Sequence, residues 1–207
     1  DYEGIYDIKT TTDGGAIFAA TSRSTDGEVN SNIGSSDFWI VKTGTDGAIE
    51  WQRNLGTGSV DEAKSIQQTS DGGYIVTGIY GVNNYDYGIF KLNSDGSTAW
   101  QRHYGGSGQD WPTMIKETSD GGYIVVGKSN SSDGNVNSRN FPGFDDNYWI
   151  VKLNSSGNLQ WEKSLGSTNV DCAEFVIEDT DGNFLIGGQV DRSDGDITNG
   201  TAQIESW

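Results

Sequence analysis

The segment DEAKSIQQTSDGGYIV, at positions 61–76, recurs three more times along this chain. The other copies are EGIYDIKTTTDGGAIF at 3–18, DWPTMIKETSDGGYIV at 110–125 and DCAEFVIEDTDGNFLI at 171–186. In every copy an acidic residue opens the segment, ten positions before the aspartate of a central Asp-Gly pair. Regular self-similarity of this kind is the sequence signature of a tandem-repeat architecture.

A second motif follows each of the first three copies. DFWIVK at 37–42 matches NYWIVK at 147–152, and more loosely DYGIFK at 86–91. Each of these runs is followed by a glycine turn and then by a tryptophan segment, which begins at Trp51, Trp100 or Trp161. Starts at 3, 61, 110 and 171 give spacings of 58, 49 and 61 residues. We therefore divide the chain into repeats at about 1–56, 57–105, 106–166 and 167–207, within a single region 1–207.

Each repeat predicts four short β-strands, which we call A to D. Apolar and β-branched residues run in stretches of five to eight between Asp-Gly or Ser-Gly turns, and no segment carries a helical stripe. Glycine suits these turns because it adopts a positive φ without steric penalty. The fold class is therefore all-β, and a four-stranded unit of this period is typical of a β-propeller blade.

Stacking explains why such units occur in series. A lone four-stranded sheet has two apolar faces and two open edges, so neighbouring sheets bury each other's faces. Accordingly, we interpret Trp51, Trp100 and Trp161 as packing between blades rather than as sugar-stacking platforms. The alignment places Glu205-Ser206-Trp207 at the start of strand C, so we predict about three and a half antiparallel blades, with the last repeat incomplete.

These motifs carry a family resemblance. The consensus GGSGxD…TSDGGYIVxG…DxWIVKLNxxG…WQK resembles the propeller-like repeats of large secreted surface proteins of Bacteroidota and some archaea. The resemblance covers essentially the whole chain, and its best local match is Gly105 to Asp110. It implies an extracellular or cell-surface location, with export commonly through type IX secretion, and a structural or adhesive module rather than a defined reaction. The chain is also distantly similar to quinoprotein propellers, but nothing in this sequence matches a quinone site, so no residues are assigned from them.

The amino-acid composition narrows the range of expected binding partners. Thirty acidic against 13 basic residues give a net charge of −17, which repels phosphate backbones and anionic membrane surfaces. Nucleic acid is therefore excluded as an expected partner, and no apolar run is long enough for a membrane span. Cys172 is the only cysteine, so no disulfide forms within the chain. We expect other protein chains or surface glycans as partners, or self-assembly through the incomplete last blade.

The long B–C loops are the expected place for binding. Three of them share a sub-motif with oxygen-bearing side chains at alternate positions, which suits Ca²⁺ because this ion takes six to eight oxygen ligands. An alternative is that these residues form turns by bonding their own backbone. The candidate ligands are Asp26, Glu28, Asn30, Asp133, Asn135, Asn137, Asp194, Asp196 and Thr198.

The acids that open the repeats also have two interpretations. Glu3, Asp61, Asp110 and Asp171 lie where strand A begins. They either cap the backbone of the turn between strands D and A, which we favour, or form a ring of carboxylates near an axis.

We expect no catalysis. His103 is the only histidine, so paired imidazole sites are excluded, and Cys172 occupies a freely varying position that indicates packing. The predicted function is a non-catalytic extracellular structural or adhesion module that presents variable loops. One alternative is a carbohydrate-binding module that uses Tyr80, Tyr85, Phe141 and Phe144. The other is part of a propeller glycoside hydrolase or lyase that uses paired carboxylates.

Overall fold

The computed structural model describes residues 2–29, 32–81, 84–138, 145–191 and 201–204. These residues form β-strands joined by turns and loops, which confirms the all-β fold class. Within the described ranges, no helix has the length and apolar character needed to cross a membrane.

The strands follow the repeats, and we call each repeat's sheet a module. The first module contains β1 (Glu3–Thr10), β2 (Ala16–Ser22), β3 (Asp37–Thr43) and β4 (Ile49–Leu55). The second contains β5 (Glu62–Gln68), β6 (Tyr74–Tyr80), β7 (Asp86–Leu92) and β8 (Thr98–Tyr104). The third contains β9 (Asp110–Glu117), β10 (Tyr123–Ser129), β11 (Asn147–Leu153) and β12 (Leu159–Leu165). In all three, neighbouring strands in sequence are neighbours in the sheet.

The fourth module differs from the sequence alignment. It contains β13 (Asp171–Glu178), β14 (Phe184–Val190) and β15 (Thr201–Ile204), in that order. Ile204 lies opposite Phe184, just as Thr43 lies opposite Ala16 in the first module. Thr201–Ile204 therefore already takes the strand C position that we expected to begin at Glu205, and residues 205–207 lie outside the described residues.

Glycine turns connect strands A and B in every module. Gly14, Gly72, Gly121 and Gly182 all have φ between 77° and 85°, as the Asp-Gly pairs predict. The residue two positions before each turn aspartate closes the turn through its backbone. In the second module, the carbonyl of Thr69 accepts the N–H of Gly72, and the N–H of Thr69 donates to the carbonyl of Gly73. The four hairpins are thus built in one way from one motif.

The chain divides into two compact units, residues 1–82 with 86–103, and residues 83–85 with 104–207. In the first unit, strand β5 packs on β1, β2 and β3. Its Ala63 and Ile66 are fully buried in a core with Ile17 and Phe38. Phe38 meets Phe90 edge to face, with ring centroids 5.3 Å apart.

The second unit repeats this arrangement. Strand β13 packs on β9, β10 and β11, and its Ala173 and Val176 are buried against Ile124 and Tyr148. Burying such side chains contributes roughly 1.5–3 kcal/mol each. Consecutive modules inside each unit are therefore held by strand A of one module on the sheet of the module before it.

Candidate functional site

The repeated aspartates at the start of strand A are backbone caps. Asp61, Asp110 and Asp171 are fully buried. The Oδ2 atom of each accepts the N–H of the residue four positions earlier, from Thr57 at 2.6 Å, Gly106 at 2.9 Å and Ser167 at 2.6 Å. The N–H of each aspartate in turn donates to the carbonyl of the residue that precedes strand C, namely Ser36, Tyr85 or Asp146. The capping interpretation is confirmed for these three acids.

Glu3, the fourth acid, is exposed and accepts a hydrogen bond from the Ser24 hydroxyl. Its side chain is one carbon longer than an aspartate, and it stands at the start of the first module. Through this bond with Ser24, Glu3 holds the loop that follows β2.

A second acid lies beside one of these caps. The first residue of β3, Asp37, is fully buried, and its Oδ1 has no hydrogen-bond partner. A Cβ placed on Gly56 would lie 2.5 Å from this oxygen and 2.8 Å from Oδ2 of Asp61. Burial, with a smaller contribution from the charge of Asp61, raises the pKa of Asp37, although the N–H groups of Ile33 and Gly34 oppose the rise.

The third module has an amide at the equivalent position. Asn147 opens β11, is buried, and places its Oδ1 against Gly166 in the same way. The aspartate cap that follows it in the repeat is Asp171. The junction between the third and fourth modules therefore carries one carboxylate, whereas the junction between the first and second modules carries two, Asp37 and Asp61. An amide is a neutral isostere of a protonated carboxyl, so this copy of the position carries no charge.

The loop sub-motif proposed for calcium forms a turn anchored by a valine. Gly27 and Gly134 have φ of 67° and 64°, and Val29 and Val136 are buried. The valine N–H donates to the carbonyl of the aspartate three positions earlier, Asp26 or Asp133. The two described copies therefore share one conformation, with the aliphatic side chain as the anchor.

In the third module this turn is tied to the turn between β8 and β9. Oδ1 of Asp133 accepts the Ser107 N–H at 2.6 Å, and Oδ1 of Asn135 accepts the Gly105 N–H at 3.2 Å. The N–H and hydroxyl of Ser107 lower the pKa of Asp133. These oxygens are directed at backbone donors rather than at a common point, which favours the turn-forming interpretation.

The positions of the remaining candidate ligands give little support to a calcium site. Asn30, Asp194, Asp196 and Thr198 lie outside the described residues, Glu28 is exposed, and Asn137 donates to the Gly134 carbonyl at 3.5 Å. Across the described ranges, no three His, Cys, Asp or Glu side chains are grouped so that they could hold a metal ion.

A lysine buried under the A–B hairpin of each of the first three modules is a feature that sequence reasoning missed. Lys42, Lys91 and Lys152 are almost fully buried, and each pairs with the turn aspartate of its own module at 2.8–2.9 Å. Lys152 also donates to the Leu153 carbonyl and to Gln160. The signal was present in the sequence, because a lysine ends every copy of the strand C motif.

Beside Lys152 lies a cavity of about 420 Å³ in the second unit. Its lining joins the third and fourth modules and includes Asp120, Lys152, Gln160, Trp161, Glu178 and Phe184. Trp161 is half-buried against the module core, with its ring 6.1 Å from that of Phe184. Glu178 accepts both the N–H and the hydroxyl of Ser119, which ties the two modules together on one side of the cavity.

The first unit contains the same constellation. Lys42 pairs with Asp13 and Glu50, and Trp51 lies 5.5 Å from Tyr74 at the equivalents of Trp161 and Phe184. The packing role predicted for the tryptophans is thus confirmed for Trp51 and Trp161. In this unit, however, a Cβ on Gly96 would lie 2.7 Å from the Trp51 ring, so the β7–β8 turn covers the indole.

The two residues considered for catalysis are His103 and Cys172. His103 is exposed and stacks on Tyr80, with ring centroids 6.0 Å apart. Cys172 is partly buried, and burial raises the pKa of its thiol to about 11, which disfavours the reactive thiolate.

The loop aromatics do not form a common platform within the described residues. Tyr80 packs edge to face on Phe90 in the first unit. Tyr85 is half-buried with a φ of 80°, and its carbonyl accepts the Asp110 N–H. Phe141 and Phe144 lie outside the described residues.

No family model matches the chain, and no curated protein is significantly similar to it.

Proposed function

We propose that the chain is a non-catalytic, extracellular structural or adhesion module of β-propeller type. The observation that carries this proposal is the contrast between the scaffold and its B–C loops. The repeated polar residues bond the scaffold itself: the aspartates cap turns, and the lysines lie under hairpins. The B–C connections follow no common length, from five residues after β6 to 17 after β10.

The packing of consecutive modules inside each unit supports the proposed propeller architecture. In each unit, strand A of one module lies across the preceding sheet and buries the small and apolar residues of its own inner face. The exposed Ile5 and Ile8 of β1 are the copies of buried Ala63 and Ile66, so the first module offers the same face outward. A series of such joints closes into a ring in propellers.

Loop exchange tests the proposal. Replacing residues 130–146 with the five-residue connection 81–85 removes the longest B–C loop but keeps the strands. We expect the variant to fold with a lower Tm than the wild type, because the exchange removes the buried Val136. We also expect it to lose binding to immobilised glycans and surface proteins, measured with fluorescent beads that carry the chain.

Two outcomes contradict the proposal. Equal bead binding by the wild type and the loop variant places recognition elsewhere. Release of reducing ends from a polysaccharide panel by the wild type, abolished by a single carboxylate substitution, identifies a hydrolase instead. Saturable sugar binding without turnover, lost on exchange of the loop, selects the carbohydrate-binding form of the module.

A further inference from the structure

Trp111, the second residue of β9, is an accessible aromatic side chain in the third module. It is 36% exposed, and it was not among the aromatic residues expected to bind sugars. The exposure persists although the following module is in place, because β13 packs on β9 and the Thr113 hydroxyl donates to the Ala173 carbonyl at 2.6 Å. The indole is therefore accessible beside a joint that has already formed.

A charged pair lies next to this indole. Lys128 stands opposite Trp111 in the pairing of β9 with β10, and its Nζ lies 4.6 Å from the ring centroid. The same ammonium group donates to Oδ2 of Asp146 at 2.5 Å, while Oδ1 of Asp146 accepts the side-chain amide of Asn130 at 3.1 Å. The carboxylate is thus held in place near the ring. Since each carboxylate oxygen has two lone pairs, both can accept a further hydrogen bond.

The cluster of Trp111, Lys128 and Asp146 differs from the repeated scaffold residues. The equivalent residues are Gly4, Thr21 and Ser36 in the first module, and Glu62, Ile79 and Tyr85 in the second. The fold therefore does not require these three side chains, whereas the capping aspartates and the hairpin lysines recur. The cluster also lies at the end of the sheet that carries the B–C loop. Variable residues at the loop end of a rigid scaffold favour a role in binding.

We propose that Trp111, Lys128 and Asp146 form a subsite for a neutral hexopyranose unit of a surface glycan. This inference rests on the proposed adhesive role of the loop face. The apolar C–H face of the pyranose ring covers the exposed part of the indole, which is a large, flat apolar surface. One sugar hydroxyl donates to Asp146 and another accepts from Lys128, so a few polar groups fix the orientation of the ring.

Charge selects a neutral sugar over an anionic one. Lys128 is already paired with Asp146, so the cluster offers no unbalanced cation to a carboxylate or sulfate group. The chain as a whole carries a net charge of −17, which repels anionic polysaccharides. A pyranose without ionised groups supplies both donors and acceptors to the paired side chains and meets no such repulsion.

Fluorine NMR of the intact chain tests the subsite. Labelling with 5-fluorotryptophan gives one resonance for each of the seven tryptophans, and the signal lost in Trp111→Phe is that of Trp111. At least one of the methyl glycosides of glucose, galactose and mannose should shift this resonance saturably, with a Kd on the order of 1–10 mM. The uronic acid analogue of the same sugar should bind at least about fivefold more weakly.

Variants assign the roles, with binding measured by saturation transfer from the protein to the sugar. Trp111→Phe should weaken binding at least about threefold, because the smaller ring offers less stacking surface. Trp100→Phe is the matched control: Arg102 lies over the Trp100 ring at 5.7 Å, but on β8, and binding should be unchanged. Asp146→Asn should weaken binding at least tenfold, about 1.4 kcal/mol, because the charged acceptor is lost.

Two results overturn the inference. One is the absence of a saturable shift of the Trp111 resonance with all three glycosides up to about 50 mM, beyond the weak affinity expected of one sugar unit. The other is equal sugar binding by the wild type and Trp111→Phe.

The bead assay separates this inference from the proposed function. Loss of glycan binding by Trp111→Ala, in which the B–C loop is intact, supports the subsite. Retained binding by Trp111→Ala, with loss by the loop-exchange variant, overturns the subsite and leaves the adhesion function standing. Retained binding by both variants overturns the proposed function. If Trp111→Ala loses binding to protein-coated surfaces alone, Trp111 belongs to a protein interface and the sugar assignment is wrong.

Discussion

At the scale of single residues, Asp37 and Asn147 occupy equivalent buried positions with opposite electrostatic consequences. Both place a buried Oδ1 without a hydrogen-bond partner, but Asp37 is a carboxylate next to the Asp61 cap, whereas Asn147 is a neutral amide beside Asp171. Two buried carboxylates at one junction disfavour the charged form of one of them. The first junction should therefore hold Asp37 in its protonated form more readily than a free aspartate.

This difference predicts that Asp37→Asn and Asn147→Asp change the stability of the protein in opposite directions. Because the pKa of Asp37 is raised on folding, its ionisation costs stability as the pH rises above about 4. Asp37→Asn should therefore stabilise the protein at pH 7.5, and the gain should fade toward pH 4. Asn147→Asp should destabilise it at pH 7.5 by about 1–3 kcal/mol, the range for an unsatisfied buried polar group.

Thermal melts of both variants across pH 4–8 check this prediction. Each variant is the control for the other, since they make the same exchange in opposite directions. A Tm of Asp37→Asn below that of the wild type at pH 7.5 would show that Asp37 is needed as an anion.

Asp71 has the opposite behaviour. Burial alone would raise its pKa, but hydrogen bonds from Thr69, Lys91 and the Gly73 N–H outweigh that effect and lower the pKa to about 2. The stabilisation is therefore present above pH 3.8 and is lost as the pH falls toward 2. Its size is modest because the carboxylate is largely exposed, as for other surface pairs worth about 0.2–1 kcal/mol.

Asp71→Asn should accordingly flatten the loss of stability between pH 4 and pH 2. Urea denaturation at several acidic pH values measures this slope. Ser70→Ala, at the neighbouring exposed position, adds no titrating group and should keep the wild-type slope. An unchanged slope for Asp71→Asn would mean that Asp71 does not take part in the hairpin pairing.

At the scale of elements, sequence reasoning located the strands well because hairpin chemistry is local. Asp-Gly turns fix the A–B hairpins, and the motif at 37–42 becomes β3 (Asp37–Thr43). Pairing in the fourth module was not predictable in the same way, since Thr201–Ile204 has no match to the strand C motif. Register there follows the pairing with β14, in which Ile204 takes the place of Thr43.

The candidate sites were less predictable than the strands. A carboxylate that caps a turn and one that binds calcium look alike in sequence, and only the Ser107 N–H at 2.6 Å from Asp133 distinguishes them. The repeated lysine was visible in the strand C motif, but its buried pairing was not, because Lys152 and Asp120 lie 32 positions apart and meet only in the folded sheet. The cavity beside Trp161 depends on which turn covers which indole, and that is a property of packed modules.

The loop sub-motif leads to a prediction about metal removal. If Asp133 and Asn135 form a turn without an ion, excess EDTA should leave the Tm unchanged, and 1 mM calcium chloride should not raise it. A ligand that binds the folded state must stabilise it by mass action. A drop of several degrees in EDTA, reversed by calcium but not by magnesium, would restore the calcium interpretation.

At the scale of the whole molecule, the sequence carries more apolar faces than each module can hide by itself. Inside the units, strand A of one module covers the sheet of the module before it. In the first module, Ile8, the copy of buried Ile66, is 55% exposed on β1. In the fourth module, Leu185, the copy of buried Ile124, is 43% exposed on β14. Stability should therefore reside in the joints between modules.

Two isoleucines at the same repeat position test this central claim directly. Ile66 is fully buried between the first two modules, whereas Ile8, its copy on β1, is 55% exposed. Urea denaturation of Ile66→Ala should show a loss of about 2–5 kcal/mol, the range for a buried isoleucine. Ile8→Ala should lose less than about 0.5 kcal/mol, as surface substitutions do. Equal losses for the two variants would contradict stacking as the source of stability.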